Sequence, residues 1–332
     1  MKGKFVQLQD RGKVVIEEEE VRKPGSGEVL IKTEVTMISP GTERAFLLGL
    51  PNTSGEYPAR SGYNHVGEVI EAGEGVTGLK VGDRVVSSAN HAEYVVRNAS
   101  GAFPVPSGLS SRKAVFFQML AIALQGVRKA KVELGDSVLV IGQGLVGNLA
   151  LQLSRLSGGF PVIAMDTETS RLELSMNCGA DHGLDSTDDN CEEALKDCTG
   201  GRGASVVIEA TGHPEPINLA FQLASRFGRV VILASTRGET KNVNFYRDVH
   251  KKGITIYGAH NSARPKSDST VGFWTSDDDF RVLLELLAAD RLMIDPLISH
   301  EFDAEDAPEA YQLLMQWDPR LMGSLLIWNR EV

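Results

Sequence analysis

Three glycines at a fixed spacing, with one acid downstream, are the residues of this chain best suited to chemistry. Gly142-Gln-Gly144-Leu145-Val146-Gly147 fits G-x-G-x-x-G, and Asp166 follows about 20 residues on. In this arrangement the first glycine permits a tight turn. The second lets a pyrophosphate approach the backbone, and the third lets a helix pack closely on a strand. Gly142, Gly144, Leu145, Val146 and Gly147 are therefore expected to face a pyrophosphate. Asp166, at the end of the next strand, is expected to accept hydrogen bonds from a ribose. Arg171, a little further on, either flanks the adenine or is a solvated helix charge.

These residues need particular elements to position them. Val138-Leu-Val-Ile141 is apolar and mostly β-branched, and reads as a buried strand before the first glycine. Residues 148–155 read as a helix and 161–165 as the next strand. Strands at 206–212, 229–234 and 253–258, with a helix over 216–227, continue the alternation and predict a doubly wound parallel sheet. Ala210-Thr211-Gly212 and Ala234-Ser235 then lie at strand ends and border the nicotinamide-ribose side of a dinucleotide.

Upstream, residues 1 to about 118 read as β-rich, with glycine-punctuated strands at 14–16, 28–32, 67–73 and 82–86, as in a small barrel-like sheet. A helical pattern over 111–129 leads into the motif. After a polar loop at 264–270 come a helix over 280–289, a strand near Leu297, a helix over 307–316 and a final strand over 324–328. This tail is too short for a domain of its own and is expected to complete the first one. The 332 residues, 42% hydrophobic and 23% charged, suit two ordinary globular domains. A formal net charge of −10 disfavours nucleic acid and anionic membranes as partners. No apolar run approaches the roughly 18 residues of a membrane span, and no signal-peptide pattern is present. Cys178, Cys191 and Cys198 show no CxxC spacing and read as reduced thiols of a cytoplasmic protein.

Further marks lie outside the motif: Pro40-Gly-Thr-Glu43, Gly62-Tyr-Asn-His-Val-Gly-Glu-Val69, Val81-Gly-Asp-Arg-Val85 and Asp295-Pro-Leu-Ile-Ser-His-Glu-Phe302. With the nucleotide motif they give nearly the whole chain a pattern that resembles the medium-chain dehydrogenase/reductase superfamily, the alcohol dehydrogenase-like proteins. The resemblance implies an α/β fold, a doubly wound parallel Rossmann sheet inserted in a β-rich GroES-like catalytic domain. The Rossmann domain would span 119–261 and the GroES-like domain 1–118 plus 262–332, with the active site in the cleft between them. It also implies edge-to-edge pairing through Gly253-Ile-Thr-Ile-Tyr-Gly258 into a homodimer or homotetramer.

The departures from that pattern bear on the chemistry. Zinc-dependent members carry Cys-Gly-Thr-Asp where Pro40-Gly-Thr-Glu43 stands, and Gly-His-Glu where Gly62-Tyr63-Asn64 stands. Their next ligand falls near Gln118. The four-cysteine loop of a structural zinc is missing as well. Zinc takes thiolate, imidazole or carboxylate ligands, so no metal is expected, and the pattern looks more like zinc-free sugar and polyol dehydrogenase-like proteins than like enone and quinone reductases.

In the resemblance, Thr42 matches the hydroxyl that bonds the substrate oxygen, although the histidine that ends that relay is replaced by Ala45; read as a strand residue, Thr42 is equally at home in a structural role. Tyr63 stands at a former ligand position and can donate to a carbonyl oxygen or carry a proton, or be an ordinary half-buried tyrosine. His91, in a turn, is a surface or capping residue or a proton carrier between cleft and water. His65 lies one position beyond the altered triplet and is not equivalent to the lost ligand. Glu43 is expected to orient Tyr63 or an arginine. Gln118, His260 and Asn261 complete the substrate-side candidates, the last two facing substrate or a subunit interface.

These readings converge on a zinc-independent dehydrogenase that transfers a hydride between NAD(H) and the secondary alcohol or ketone of a small molecule. By resemblance that molecule is a sugar derivative or cyclitol. NAD is expected over NADP because Asp166 would repel a 2′-phosphate. Two alternatives stay open: a metal-free enone or quinone reductase, and a non-catalytic dinucleotide-binding protein with a redox-sensing role.

Overall fold

The computed structural model describes residues 1–270 and 274–329. The chain forms two compact units, Met1–Gln118 with Phe280–Val332, and Met119–Asp279. The segment 262–279, expected with the β-rich unit, belongs to the second. Within that unit Gln125 Nε2 donates to His260 O at 2.6 Å, and Arg264 and Arg128 both bind Asp279.

The first unit opens with β1 (Lys2–Asp10), β2 (Lys13–Glu20), β3 (Glu28–Ile38), α1 (Pro40–Leu47), β4 (Ala59–Arg60), β5 (His65–Ala72), β6 (Arg84–Ser87), β7 (Tyr94–Asn98), β8 (Ala102–Pro104) and α2 (Ser111–Ala114). The next helix, α3 (Phe117–Ala130), begins the passage into the second unit. One helix was expected over 111–129. Instead Ser110 Oγ caps a first short turn by accepting from Lys113 N, and the helix restarts after Val115-Phe116.

The second unit alternates as expected: β9 (Val138–Ile141), α4 (Leu145–Leu156), β10 (Val162–Asp166), α5 (Thr169–Asn177), β11 (His182–Asp185), α6 (Cys191–Cys198), β12 (Ala204–Glu209), α7 (Pro216–Leu223), β13 (Ala224–Ile232) and β14 (Thr255–Gly258). All pairings are parallel, in the order β11-β10-β9-β12-β13-β14. This is the doubly wound order, whose strand carboxyl ends gather at a topological switch point. Leu139, Ile163, Val207 and Phe221 form its core. The helix expected to reach 227 stops at Leu223, because Ala224 turns extended and Phe227 adopts a left-handed φ of 60°, its N–H reaching Lys252 O at 2.7 Å.

Back in the first unit, α8 (Ser276–Ala288, entered from the second unit) precedes β15 (Ile298–Asp303), α9 (Ala307–Gln316) and β16 (Gly323–Ile327). Strand β16 pairs antiparallel with β3, so the tail joins the sheet laid down by the first hundred residues. Ile38, Leu47, Tyr311 and Leu326 share one core cluster, which packs α1 and α9 together beside that sheet. Among the described residues no helix is long and apolar enough to cross a membrane.

Candidate active site

The second unit carries the dinucleotide candidates. At the end of β9, Gly142 has a φ of +89°, and a Cβ there would lie 2.8 Å from Thr211 Cγ2. A Cβ on Gly147 would lie 1.7 Å from Gly142 O, so only glycine lets α4 sit this close to the turn. Around Gly144, the N-cap of α4, the opposite holds: a Cβ would meet nothing within 4 Å. The backbone there borders open space at a helix N-terminus, which fits a pyrophosphate. Leu145 is buried and Val146 half-buried, so it is their backbone N–H groups that suit an anion.

Asp166 ends β10. Its Oδ2 accepts from Gln143 N at 2.6 Å and its Oδ1 from Glu168 N at 3.0 Å. A carboxylate has further lone pairs, so both oxygens keep capacity for a ribose. Arg171 lies 3.9 Å from Oδ2 and is mostly buried, so it is a neighbour of the acid rather than a solvated charge. Ala210, Thr211 and Gly212 form the turn after β12. That turn is held by Glu209, unforeseen in the sequence, whose Oε1 accepts from Thr211 N at 2.8 Å and from the Thr211 hydroxyl. Burial pushes the Glu209 carboxyl up, partly offset by these bonds. Ala234 N donates to Glu209 O at 3.2 Å, and Ser235 beyond it is exposed. His260 is exposed with Nδ1 at 2.7 Å from Ser262 Oγ, and Asn261 is half-buried.

The first unit carries a different kind of cluster, centred on buried Glu43. Its Oε1 accepts from Ser39 N at 2.7 Å. Its Oε2 accepts from Ser61 Oγ at 2.8 Å, faces His91 Nε2 at 3.0 Å, and takes the Tyr311 hydroxyl. Burial works against the charge, but His91 beside it and these hydrogen bonds outweigh it and hold the carboxyl below its ordinary range. Burial and the same carboxylate push the Tyr311 phenol well up. The hydrogen bonds brought to Glu43 come from hydroxyls, a backbone N–H and His91, with no arginine among them, and its link to Tyr63 runs through Ser39. The expectation for His91 is corrected. Its side chain is 0% exposed and bonded to Glu43, so it has no direct contact with water. Its ring lies against Gly62, where a Cβ would come within 2.6 Å.

Thr42, read as a strand residue, lies on α1, half-buried. Pro40 at the first helical position and Ser39 in extended conformation start a helix there. Tyr63 is half-buried, and its hydroxyl donates to Ser39 Oγ at 2.5 Å. Gln118 is buried and its Oε1 accepts from Ser88 Oγ at 2.8 Å. His65 is hydrogen-bonded outside the Glu43 cluster. It sits between Thr33 Oγ1 at 3.0 Å and Ser87 Oγ at 2.9 Å, and burial, with Arg97 and His91 nearby, lowers its pKa to about 3. Ser61 and Tyr311 had no local sequence signal, because the fold brings them to Glu43 from 18 and 268 residues away, whereas Ser39 is local to it, four residues upstream.

A zinc ion, implied by the family pattern, does not suit these residues. Proline offers no donor, and tyrosine and glutamine are poor substitutes for the usual ligands. Among the described residues no three His, Cys, Asp or Glu side chains gather into a metal-ligand set.

The alcohol dehydrogenase GroES-like domain matches residues 25–119, and the zinc-binding dehydrogenase family matches 146–288. Similar curated proteins include D-guloside 3-dehydrogenase of Escherichia coli K12, 29% identical over 76% of this chain and 73% of that protein. L-threonine 3-dehydrogenase of Pyrococcus abyssi is 28% identical over 90% of each. Among solved structures, a Sinorhizobium meliloti 1021 protein bound to NADP superposes with a TM-score of 0.84 at 25% identity, covering 98% of this chain and 99% of that one. The chain belongs to the medium-chain dehydrogenase/reductase superfamily and is an alcohol dehydrogenase-like oxidoreductase.

Proposed function

We propose that this chain is a zinc-independent, NAD-dependent dehydrogenase acting on a secondary alcohol or its ketone, with a sugar derivative or cyclitol as substrate. The observation that carries the reading is the Tyr63–Ser39 hydroxyl contact of 2.5 Å at a position where zinc-dependent relatives place a ligand. Bound NAD supplies the hydride acceptor. The chain's own residues do the rest: the Gly144 backbone and the α4 N-terminus hold the pyrophosphate, and Asp166 holds the ribose. Tyr63 and Thr42, both half-buried hydroxyls, orient the substrate oxygen. D-guloside 3-dehydrogenase and a sorbitol dehydrogenase among the relatives support a polyhydroxylated substrate.

The test follows NADH absorbance with sorbitol, xylitol, myo-inositol and methyl glucosides, and with enones as a second arm, in the presence of a strong chelator. Turnover of a polyol by protein without stoichiometric zinc is expected. Activity lost on chelation and restored by zinc overturns the metal-free reading, and turnover of enones alone overturns the alcohol reading. NADH should bind more tightly than NADPH, and an about tenfold preference for NADPH would reverse the cofactor assignment. We also propose self-association through β14, which ends its sheet with Ile256 40% exposed; light scattering that finds monomer alone would rule this out.

A further inference from the structure

Glu209 is the last residue of β12 and is 0% exposed. Its Oε1 accepts from Thr211 N and from the Thr211 hydroxyl, while its Oε2 has no hydrogen-bond partner among the described residues. The groups that hold its charge against burial are the Thr211 hydroxyl and the N–H groups of Thr211 and Gly212, with no basic side chain among them. A buried carboxylate without a cation is costly, and a neutral group of similar volume is often no worse for stability. Its presence therefore calls for a reason outside stability.

The place of Glu209 in the sheet supplies that reason. Asp166 ends β10, the glycine turn follows β9, and β12 lies on the opposite side of β9 from β10. A dinucleotide with its adenosine ribose at Asp166 and its pyrophosphate at Gly144 therefore carries its nicotinamide half over the ends of β12 and β13. Glu209 ties those two ends together and to the glycine turn. Leu233 N and Ala234 N donate to Glu209 O at 3.0 and 3.2 Å. Next to it, Ala210 N donates to Ile141 O at 2.8 Å, and Thr211 packs on Gly142. A fixed negative charge thus stands at the strand end crossed by the half of the cofactor that changes charge in the reaction. Nicotinamide bears one positive charge when oxidised and none when reduced.

We propose that Glu209 is a specificity-determining residue for the redox form of the cofactor: its uncompensated charge raises affinity for NAD+ relative to NADH and so biases the site toward alcohol oxidation. The inference rests on the dinucleotide reading above.

The test measures NAD+ and NADH dissociation constants by calorimetry on the full-length parent, Glu209→Gln and Glu209→Asp, together with melting temperatures. Glu209→Gln keeps an acceptor for Thr211 and removes the charge. A unit-charge attraction across about 10 Å at an effective dielectric of about 20 corresponds to about tenfold in affinity. Glu209→Gln should therefore bind NAD+ about tenfold more weakly and NADH within about twofold of the parent. Glu209→Asp keeps the charge but is one methylene shorter, which loosens the Thr211 bonds. It should weaken both forms alike and leave their ratio that of the parent. A parent-like ratio in Glu209→Gln overturns the proposal. So does a ratio that falls equally in Glu209→Asp, which returns Glu209 to holding the turn alone. Should Glu209→Gln not fold, Glu209→Met is read in its place by the same ratio. A parent that binds neither form removes the dinucleotide reading and the proposal with it. A parent that prefers NADPH removes only the cofactor assignment, and NADP+ against NADPH then carries the same test.

Discussion

The dinucleotide turn and the Glu43 cluster are built by opposite means. The turn is made of backbone: Gly142, Gly144 and Gly147 are nearly adjacent in sequence, and their use lies in side chains they lack. The Glu43 cluster is made of buried side chains from residues 43, 61, 91 and 311, converging on the Glu43 carboxylate together with the Ser39 backbone N–H. The first is crowded against an added atom at Gly142 and Gly147, and the second is weakened by a lost hydrogen-bonding atom. Each should therefore fail under a different kind of substitution, and each failure should leave the other cluster's readout alone.

Gly147→Ala should have the largest effect on cofactor binding. Its Cβ would overlap Gly142 O at 1.7 Å, a backbone neighbour that cannot rotate away. Overpacking of about 3 kcal/mol displaces the turn and should weaken NADH binding by about 100-fold. Gly144→Ala sharpens the comparison, because its Cβ meets nothing in the protein. It should fold normally and lose NADH affinity only through the ligand's own approach. Fluorescence titration with NADH distinguishes the two, and parent-like affinity in Gly147→Ala would show that the turn is not the cradle.

Glu43→Leu removes the acceptor from Ser39 N–H, Ser61 O–H, Tyr311 O–H and His91 at once. Breaking a buried charged centre in this way costs about 3–5 kcal/mol. Tyr311→Phe removes one hydroxyl and should cost about 1 kcal/mol. Urea unfolding measures both, and NADH affinity should remain that of the parent protein in each. Equal stability of Glu43→Leu and parent would mean that the cluster is not what holds Ser39 and Tyr63.

The same difference decides what could be read before the structure was known. The nucleotide turn, its strand and helix, and the acid at 166 are local in sequence, so periodicity and spacing reveal them. Helix α1 was invisible because it is eight residues long and its buried positions include Glu43, a charged residue no apolar pattern reports. Strand β1 was missed because its buried residues Phe5, Val6 and Leu8 do not alternate simply. Tyr63 and Thr42 were found through a family pattern, but Ser39 and Tyr311 could not be. A serine before a proline reads as a helix cap, and a tyrosine on a late helix reads as core. Ser39 meets Tyr63 only where β3 pairs with β5, and Tyr311 meets Glu43 only once the tail has brought β16 against β3.

Acid should probe the first unit through His65. Its folded pKa of about 3 lies below the ordinary 6.5, so the unfolded chain takes up the proton more readily than the folded one. The stabilisation is complete above pH 6.5 and is lost progressively as pH falls from there toward 3. Glu43, also depressed, adds to the loss at the lower end as pH drops through its ordinary value of 4.5 and below. Melting temperature should therefore decline between pH 6.5 and 4. His65→Gln, though less stable at pH 7, should show a shallower decline over that window. An unchanged slope would mean that His65 is not the group responsible.

The smallest effect is expected at Arg171. Its guanidinium stands 3.9 Å from Asp166 Oδ2 and is mostly buried, so it moderates the acid's negative field without being a tight partner. Asp166 itself is held by Gln143 N and Glu168 N and should stay in place when the arginine is removed. Arg171→Ala then leaves a fixed and less compensated carboxylate beside the ribose position. An ion pair of this looseness is worth about 0.2–1 kcal/mol, which corresponds to at most about fivefold in affinity. NADH, which brings hydroxyls to that carboxylate, should bind within about that factor of the parent. NADPH, which would bring a 2′-phosphate, should lose more, so that the preference for NADH widens. Titrating both cofactors against Arg171→Ala checks this. Tighter NADPH binding in the variant would show that Arg171 guards against the phosphate and that Asp166 does not set the cofactor choice.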